Sequence, residues 1–286
     1  MMRTFEYRIY PRKEQEILFE ETLDVLRHLY NNALAERIDA YKHENRTVGY
    51  LEQKRQLPDL KKMAPSLKNI HSQVLQDCLH RLDKAYQNFF RRFKEGHEKA
   101  GFPRFKGTGQ YQSFAYPQYG TAAQIQGNIL ILSKIGNVEI RVHRPLGKNP
   151  KTVTITRKAD GWYACIVCDI DPEPLPLTGM EVGIDVGIKE FATFSEEHPS
   201  VPNPKYLKKA QAKLRKAQKR LSRRTKVDPH NRLTNNQSRR RDKAKVLLAK
   251  AHQKVARARK DFHHKTAYAL VRKFDVLSIE DLNIKL

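Results

Sequence analysis

The sequence predicts an α+β, multidomain chain. A small antiparallel β-barrel carries a helical unit inserted after its first strand, and an α/β domain with an inserted basic helical hairpin follows. Three observations predict this. The hydrophobic period is two at the start, then three to four, then two again before residue 171. The run Asp171-Pro-Glu-Pro-Leu-Pro176 is a stiff linker and the best domain boundary. Between Lys205 and Lys260, 22 Lys and Arg face only Asp228 and Asp242, a local charge of +20 in a chain of net +24.

Phe5, Tyr7 and Ile9 alternate with Glu6, Arg8 and Tyr10, a short strand stopped by Pro11. From about Lys13 to Lys42 the pattern is helical, with Leu18, Thr22, Val25, Leu29 and Ala33 on one stripe. A polar stretch through Gly49 and Pro58 reads as a connection. A second helix begins near Pro65, with Ile70, Val74, Cys78, Leu82, Ala85, Phe89 and Phe93 at steps of three or four. Gly101-Phe-Pro-Arg-Phe105 ends the helical unit. Strands follow at 112–116, 129–132, 138–143, 152–156 and 163–170, with turns at Gly127-Asn128, Gly136-Asn137 and Asp160-Gly161. Such spacing suits a small barrel, which the N-terminal strand completes.

Beyond the linker lie two strands, 182–186 and 191–194, and a loop containing Pro199, Pro202 and Pro204. Inside the basic block, Tyr206, Ala210, Leu214, Ala217 and Leu221 form a narrow stripe. After a break at Asp228-Pro229, Ala244, Leu248, Ala251, Val255, Ala258 and Phe262 step 4-3-4-3-4. These are the seams of an antiparallel helical hairpin with its cations outside. A last strand, Val276-Leu-Ser-Ile279, closes the domain.

At 286 residues and 39% hydrophobic content the chain has room for two or three cores. No apolar run reaches the roughly 18 residues of a membrane span, and the start lacks an apolar signal core. Three cysteines suit a reducing interior. The expectation is a cytoplasmic protein facing nucleic acid. Ordinary solvated helix faces mix signs, whereas like charges this dense repel unless a polyanion neutralises them. Candidate contacts in the block are Lys208, Lys209, Arg215, Lys219, Arg223, Arg224, Arg239, Arg240 and Arg241. Arg104, Lys106 and Tyr111 are candidates in the first half. They lie among Phe102, Phe105, Phe114, Tyr116 and Tyr119, a set suited to base stacking, although alternation assigns half of these rings to barrel core.

Asp185, in Gly183-Ile-Asp-Val-Gly187, lies in a strand too apolar for a surface edge, where an unpaired carboxylate costs free energy. Read alone, its plainer reading is an Asp in a strand-terminal turn. Glu280 closes the last strand, and the two together suit a ribonuclease-H-like sheet. There, carboxylates from separated strands converge on divalent ions, typically two Mg²⁺ about 3.5–4 Å apart. Asp281 is the second choice to Glu280. Cys165-x-x-Cys168 lies in a strand, where residues three apart face opposite sides, and is assigned to core. His263-His264 lacks metal-ligand spacing.

Several segments, in order, resemble the TnpB (OrfB) proteins of bacterial and archaeal insertion sequences. They are Phe-Glu-Tyr-Arg-Ile-Tyr-Pro (5–11), Leu-Tyr-Asn-Asn-Ala-Leu (29–34), Phe-Pro-Arg-Phe-Lys (102–106), Ser-Phe-Ala-Tyr-Pro (113–117) and Val-His-Arg-Pro-Leu-Gly (142–147). Gly-Ile-Asp-Val-Gly-Ile-Lys (183–189), Asn-Pro-Lys-Tyr-Leu (203–207), Arg-Lys-Asp-Phe-His-His-Lys (259–265) and Ser-Ile-Glu-Asp-Leu-Asn (278–283) complete the set. That family is related to the type V CRISPR effectors.

The resemblance implies an RNA-guided DNA endonuclease, in older usage a transposase, working in the prokaryotic cytoplasm and at the nucleoid when DNA-bound. Residues 1–12 and 105–178 would form a wedge barrel with its linker, 13–104 a recognition lobe and 179–286 a RuvC-type nuclease domain. Asp185 would be the first RuvC carboxylate and Glu280 the second, with Mg²⁺ or Mn²⁺ as cofactor. A transposon-encoded guide RNA and target DNA would be the partners, the guide reading most of the target by pairing. The resemblance also implies a four-cysteine zinc ribbon and a third aspartate beyond residue 286, which this sequence does not contain. The expectation is a fragment or natural truncation that binds without efficient cleavage. Two alternatives stand beside it: a nuclease-inactive RNA-guided DNA-binding protein acting as a repressor, and a simple basic nucleic-acid-binding protein.

Overall fold

Strand β1 (Met2–Tyr10) buries Phe5, Tyr7 and Ile9 and turns the residues between them outward, as its alternation predicts. A computed structural model describes residues 1–195, 198–224 and 239–280, and the chain divides into two units, Met1–Pro172 and Glu173–Leu286. In the first unit β1 is central. It pairs antiparallel with β5 (Gly136–Arg141) on one side and β7 (Gly161–Asp169) on the other. With β2 (Ser113–Tyr116), β3 (Ala123–Gln126), β4 (Ile129–Leu132) and β6 (Lys148–Lys158), the sheet runs β2-β6-β7-β1-β5-β4-β3. The N-terminal strand thus completes the sheet, with the helices inserted between β1 and β2. The segment joining β2 to β3 reaches both ends of the sheet. The Tyr119 N–H donates to the Lys151 carbonyl and the Gly120 N–H to the Ala123 carbonyl, so the barrel is nearly closed. Strand β3 is absent from the sequence reading because Ala-Gln-Ile-Gln offers a single large apolar residue.

Helix α1 (Lys13–Glu44) buries a wider band than its predicted stripe. Phe19, Leu23, Leu26 and Tyr30 join Leu29 and Ala33, while Leu18 is exposed. The band is wide because α1 packs on both the barrel and α3: the Phe19 ring lies 5.7 Å from Phe114 and 4.8 Å from Trp162.

The stretch through Gly49 and Pro58, expected as a connection, is mostly helix α2 (Tyr50–Met63) with Pro58 inside it. Its anchor beside Leu57 is polar, which hid the helical period. Gln53 is buried and its Nε2 donates to the Ala33 carbonyl at 2.8 Å and to Glu36 at 2.7 Å, while its Oε1 accepts from Arg37 at 2.9 Å. Pro65–Asn69 is a 3-10 turn, and α3 starts later than predicted, at Ser72 (Ser72–Lys94). The ring of His71 caps it, accepting from the Gln73 N–H. Val74, Cys78 and Leu82 are buried as predicted, but the stripe opens to solvent at its end, where Phe93 is 69% exposed.

In the second unit, β8 (Glu181–Asp185) pairs antiparallel with β9 (Glu190–Phe194), and β9 with β10 (Val201–Pro202). Helices α4 (Tyr206–Ser222) and α5 (Arg239–Lys273) precede β11 (Val276–Ile279), which joins β8 in parallel to give the order β10-β9-β8-β11. Val182, Ile184, Ala192 and Phe274 form the small core of this unit.

Candidate metal centre and nucleic-acid interface

On β8 the core takes Val182 and Ile184, which leaves Gly183 and Asp185 on the opposite face. The parallel register pairs Ser278 with Gly183 and Ile279 with Ile184. One step further, Glu280 leaves β11 beside Asp185. The two carboxylates, distant in sequence, line one open concavity of about 460 Å³ together with Thr193, Ser195 and Ser278. Asp185 is solvent-exposed rather than buried in an apolar strand, so the desolvation argument for it fails. Its interest rests on convergence with Glu280. Among the described residues neither carboxylate forms an ion pair, and no group of three His, Cys, Asp or Glu is placed to share an ion. Asp281 lies outside the described residues.

Two devices hold this face in register. Ser195 brackets Gly183, donating its N–H to the Gly183 carbonyl at 3.0 Å and accepting the Gly183 N–H on Oγ at 2.9 Å. A Cβ on Gly183 would stand 3.2 Å from the Ser195 side chain, so glycine permits the approach. At the other end of the strands the Asp275 carboxylate accepts from the N–H groups of Thr178 and Gly179, the latter at 2.7 Å, and from the Thr178 hydroxyl. The Asp275 N–H donates to the Met180 carbonyl, tying the entry of β8 to that of β11. Those backbone donors hold the Asp275 carboxyl below the usual range. Sequence reasoning missed Ser195 and Asp275. The small polar pair Thr193 and Ser195, two residues apart on β9, was the available signal for the first.

The basic block folds as an antiparallel pair of helices. The two helices pack on each other, and Leu214 and Ala217 of α4 and Ala244 and Val255 of α5 are their buried residues. Tyr206 packs 6.2 Å from Phe262 at one end, and Arg224 donates to the Arg240 carbonyl at 2.8 Å near the other. Lys208, Lys209, Arg215, Lys219, Arg223, Arg239 and Arg240 are exposed, while Arg241 is half-buried. Arg224, expected as a nucleic-acid contact, is also half-buried, and its hydrogen bond braces the two helices. The proposed break at Asp228-Pro229 lies outside the described residues.

In the first unit Arg104 is exposed. Lys106 is held at its backbone, where Asn31 accepts its N–H at 2.8 Å and donates to its carbonyl at 2.9 Å, and its Nζ lies 5.5 Å from the centre of the Tyr30 ring. Tyr111 is no surface stacking platform. Its ring packs 6.2 Å from Tyr30 and its hydroxyl meets Cys78, and burial pushes its pKa far above that of an exposed tyrosine. The Cys78 thiol is raised to about 12 by the same burial. Phe114 and Tyr116 are barrel core, whereas Phe102 and Phe105 are exposed. Cys168 is fully buried and Cys165 partly so. His263 stacks 5.4 Å from the Phe191 ring, and His264 is exposed.

Two family profiles match the chain: OrfB_IS605, described as "Probable transposase", over residues 165–286, and its "Helix-turn-helix domain" over residues 1–46. A Streptomyces pristinaespiralis protein named "Putative RNA-guided DNA endonuclease" is 32% identical over 99% of this chain and 67% of its own length. The chain belongs to the OrfB (TnpB) family. A second relative, "Putative RNA-guided DNA endonuclease InsQ" of Escherichia coli K12, is 29% identical over 99% of this OrfB-family chain and 67% of its own. A cryo-EM structure described as a Cas12f1-sgRNA-target DNA complex aligns with 99% of the chain and 73% of its own, at 15% identity and a TM-score of 0.36; family membership rests on the sequence relatives. The OrfB helix-turn-helix name does not describe residues 1–46 here, which form β1 and the single long helix α1.

Proposed function

We propose that this OrfB-family chain is an RNA-guided DNA endonuclease of RuvC type, with a transposon-encoded guide RNA and a DNA target as its partners. The observation that carries the reading is the placement of Asp185 and Glu280. They come from strands on either side of the basic hairpin in sequence, and parallel pairing sets them side by side on one open face. The donor set fits a hard divalent cation such as Mg²⁺ or Mn²⁺: two exposed carboxylates with no described cation against them. In such sites the ion lowers the pKa of a bound water and neutralises charge on the phosphate oxygens. Asp185 and Glu280 would fix its position, and the Gly183–Ser195 bracket would hold the Asp185 strand against β9. The exposed cations of α4 and α5 would take phosphates, leaving sequence to be read by base pairing with the guide.

A complete two-metal site needs a further carboxylate, and none of the described residues supplies it. No zinc site is proposed on the three cysteines, all of which lie in the first unit. No described helix is long and apolar enough to cross a membrane.

RNA recovered with the purified chain should be enriched for transcripts of its own locus. An unselective sample of cellular RNA would overturn the guide and leave a simple basic binding protein.

A further inference from the structure

The C-terminal part of α3 forms a groove against α1 that no barrel or hairpin function requires. Tyr41, Tyr86, Phe89, Phe90, Phe93 and Phe102 line an open space of about 810 Å³. Tyr41 is 63% exposed and Phe90 52%, although rings of this size are normally covered. Phe102 meets Tyr86 and Phe89 edge to face, at 5.5 and 5.3 Å, so these three are already ordered without an occupant. Arg37, only 7% exposed, also borders the groove. Its Nε and Nη1 donate to Gln53 and Asp83, but its buried Nη2 has no protein acceptor. The guanidinium lies 5.1 Å from the centre of the Tyr86 ring and holds that ring in the groove wall.

Charge selects the occupant. The run Phe89-Phe-Arg-Arg-Phe-Lys94 holds three aromatic rings and three cations, of which Arg91 pairs with Glu95 at 3.5 Å, and Lys42 stands at the groove from α1, while the one acid lining the groove, Asp83, is paired with Arg37. Residues 1–172 carry 28 Lys and Arg against 19 acids, which disfavours a second copy of the same surface. Rings alternating with cations suit bases and phosphates of an unpaired strand. A duplex keeps its bases stacked and offers none.

We propose that this groove receives an unpaired nucleobase of RNA, stacked among the exposed rings. The choice of RNA over DNA rests on the reading above, in which a guide RNA is the protein's standing partner and the DNA target joins it afterwards.

The test uses the full chain and a labelled oligouridine of about twelve nucleotides, within the site sizes of aromatic grooves. It is run at raised salt, where phosphate contacts elsewhere weaken. Phe90→Ala/Phe93→Ala, at exposed positions, should weaken binding at least about fivefold. Phe93→Tyr should bind like the wild type, and a base-free ribose-phosphate strand should bind both proteins equally. Equal loss on oligouridine and on the base-free strand would overturn the proposal, as would no loss on either. A larger loss on oligothymidine than on oligouridine would overturn the assignment to RNA. A wild-type dimer that the double variant abolishes, with oligouridine binding unchanged, would show that a second copy occupies the groove. Locus RNA recovered equally with wild type and variant, beside unchanged oligouridine binding, would sink the groove and leave the guide reading standing. Loss of oligouridine binding without locus enrichment would do the reverse.

Discussion

Removing the outward stripe of α4 should flatten the salt dependence of nucleic-acid binding by a calculable amount. Lys208, Arg215 and Lys219 are exposed and lie at offsets of seven and four, opposite the seam residues Leu214 and Ala217. None has a described ion pair, so alanine there breaks none and raises helix propensity slightly. If each neutralises one phosphate, the triple variant loses about 2.7 from the slope of log affinity against log salt on a duplex, and about 2.1 on a single strand. Over a fourfold rise in salt the wild type should therefore lose about 40-fold more affinity for a duplex than the variant does. Anisotropy of a labelled duplex across a sodium chloride series reads this directly, with far-UV circular dichroism confirming unchanged helix. An unchanged slope in a folded variant would show that the stripe faces solvent.

Gly147→Ala should destabilise the first unit by about 1–3 kcal/mol, as overpacking does, because a Cβ there would stand 2.6 Å from the Asp169 carbonyl oxygen. Urea unfolding followed by the single tryptophan, Trp162, measures it, and wild-type stability would show that the backbone yields without cost. Asp275 has a depressed folded pKa, so its contribution is present above the unfolded value and is lost as pH falls through the folded one. The amide signals of Thr178 and Gly179 should titrate together below the ordinary carboxylate range, and Asp275→Asn should remove that titration. A midpoint at or above the ordinary range would contradict the clamp.

Alternation made β1 legible, and so did the seam of the basic hairpin, because each buries one face of a regular element. Helix α2 was not legible. Its burial is carried by the hydrogen-bonded Gln53, and Pro58 advertises a break that a short helix tolerates. Strand β3 was lost for a related reason, since pairing with β4 across the Gly127 turn stabilises it more than its own apolar content. Asp185 and Glu280 were found through their strands, yet the reason first given for Asp185 was wrong. Only the parallel β8–β11 register shows that the carboxylate is exposed and shares its face with Glu280. Tyr111 failed as a surface residue because the ring that follows a glycine-rich loop turned in against Tyr30 and Cys78, a long-range contact with no local signature. The α3 stripe misled in the opposite sense: its period persists to Phe93, but the neighbouring helices stop covering it before that point.

The central claim is that Asp185 and Glu280 hold a divalent ion, and Mn²⁺-induced relaxation of backbone amides tests it most directly. Adding Mn²⁺ should broaden the signals of Asp185, Thr193, Ser278 and Glu280, which line the same concavity, and excess Mg²⁺ should restore them. Asp185→Ala should abolish the broadening while leaving RNA and target binding nearly intact, since that affinity would come from phosphate contacts on the hairpin. No broadening at these residues, or broadening that survives Asp185→Ala, would contradict the metal site. Loss of target binding in Asp185→Ala would instead mark Asp185 as a structural residue.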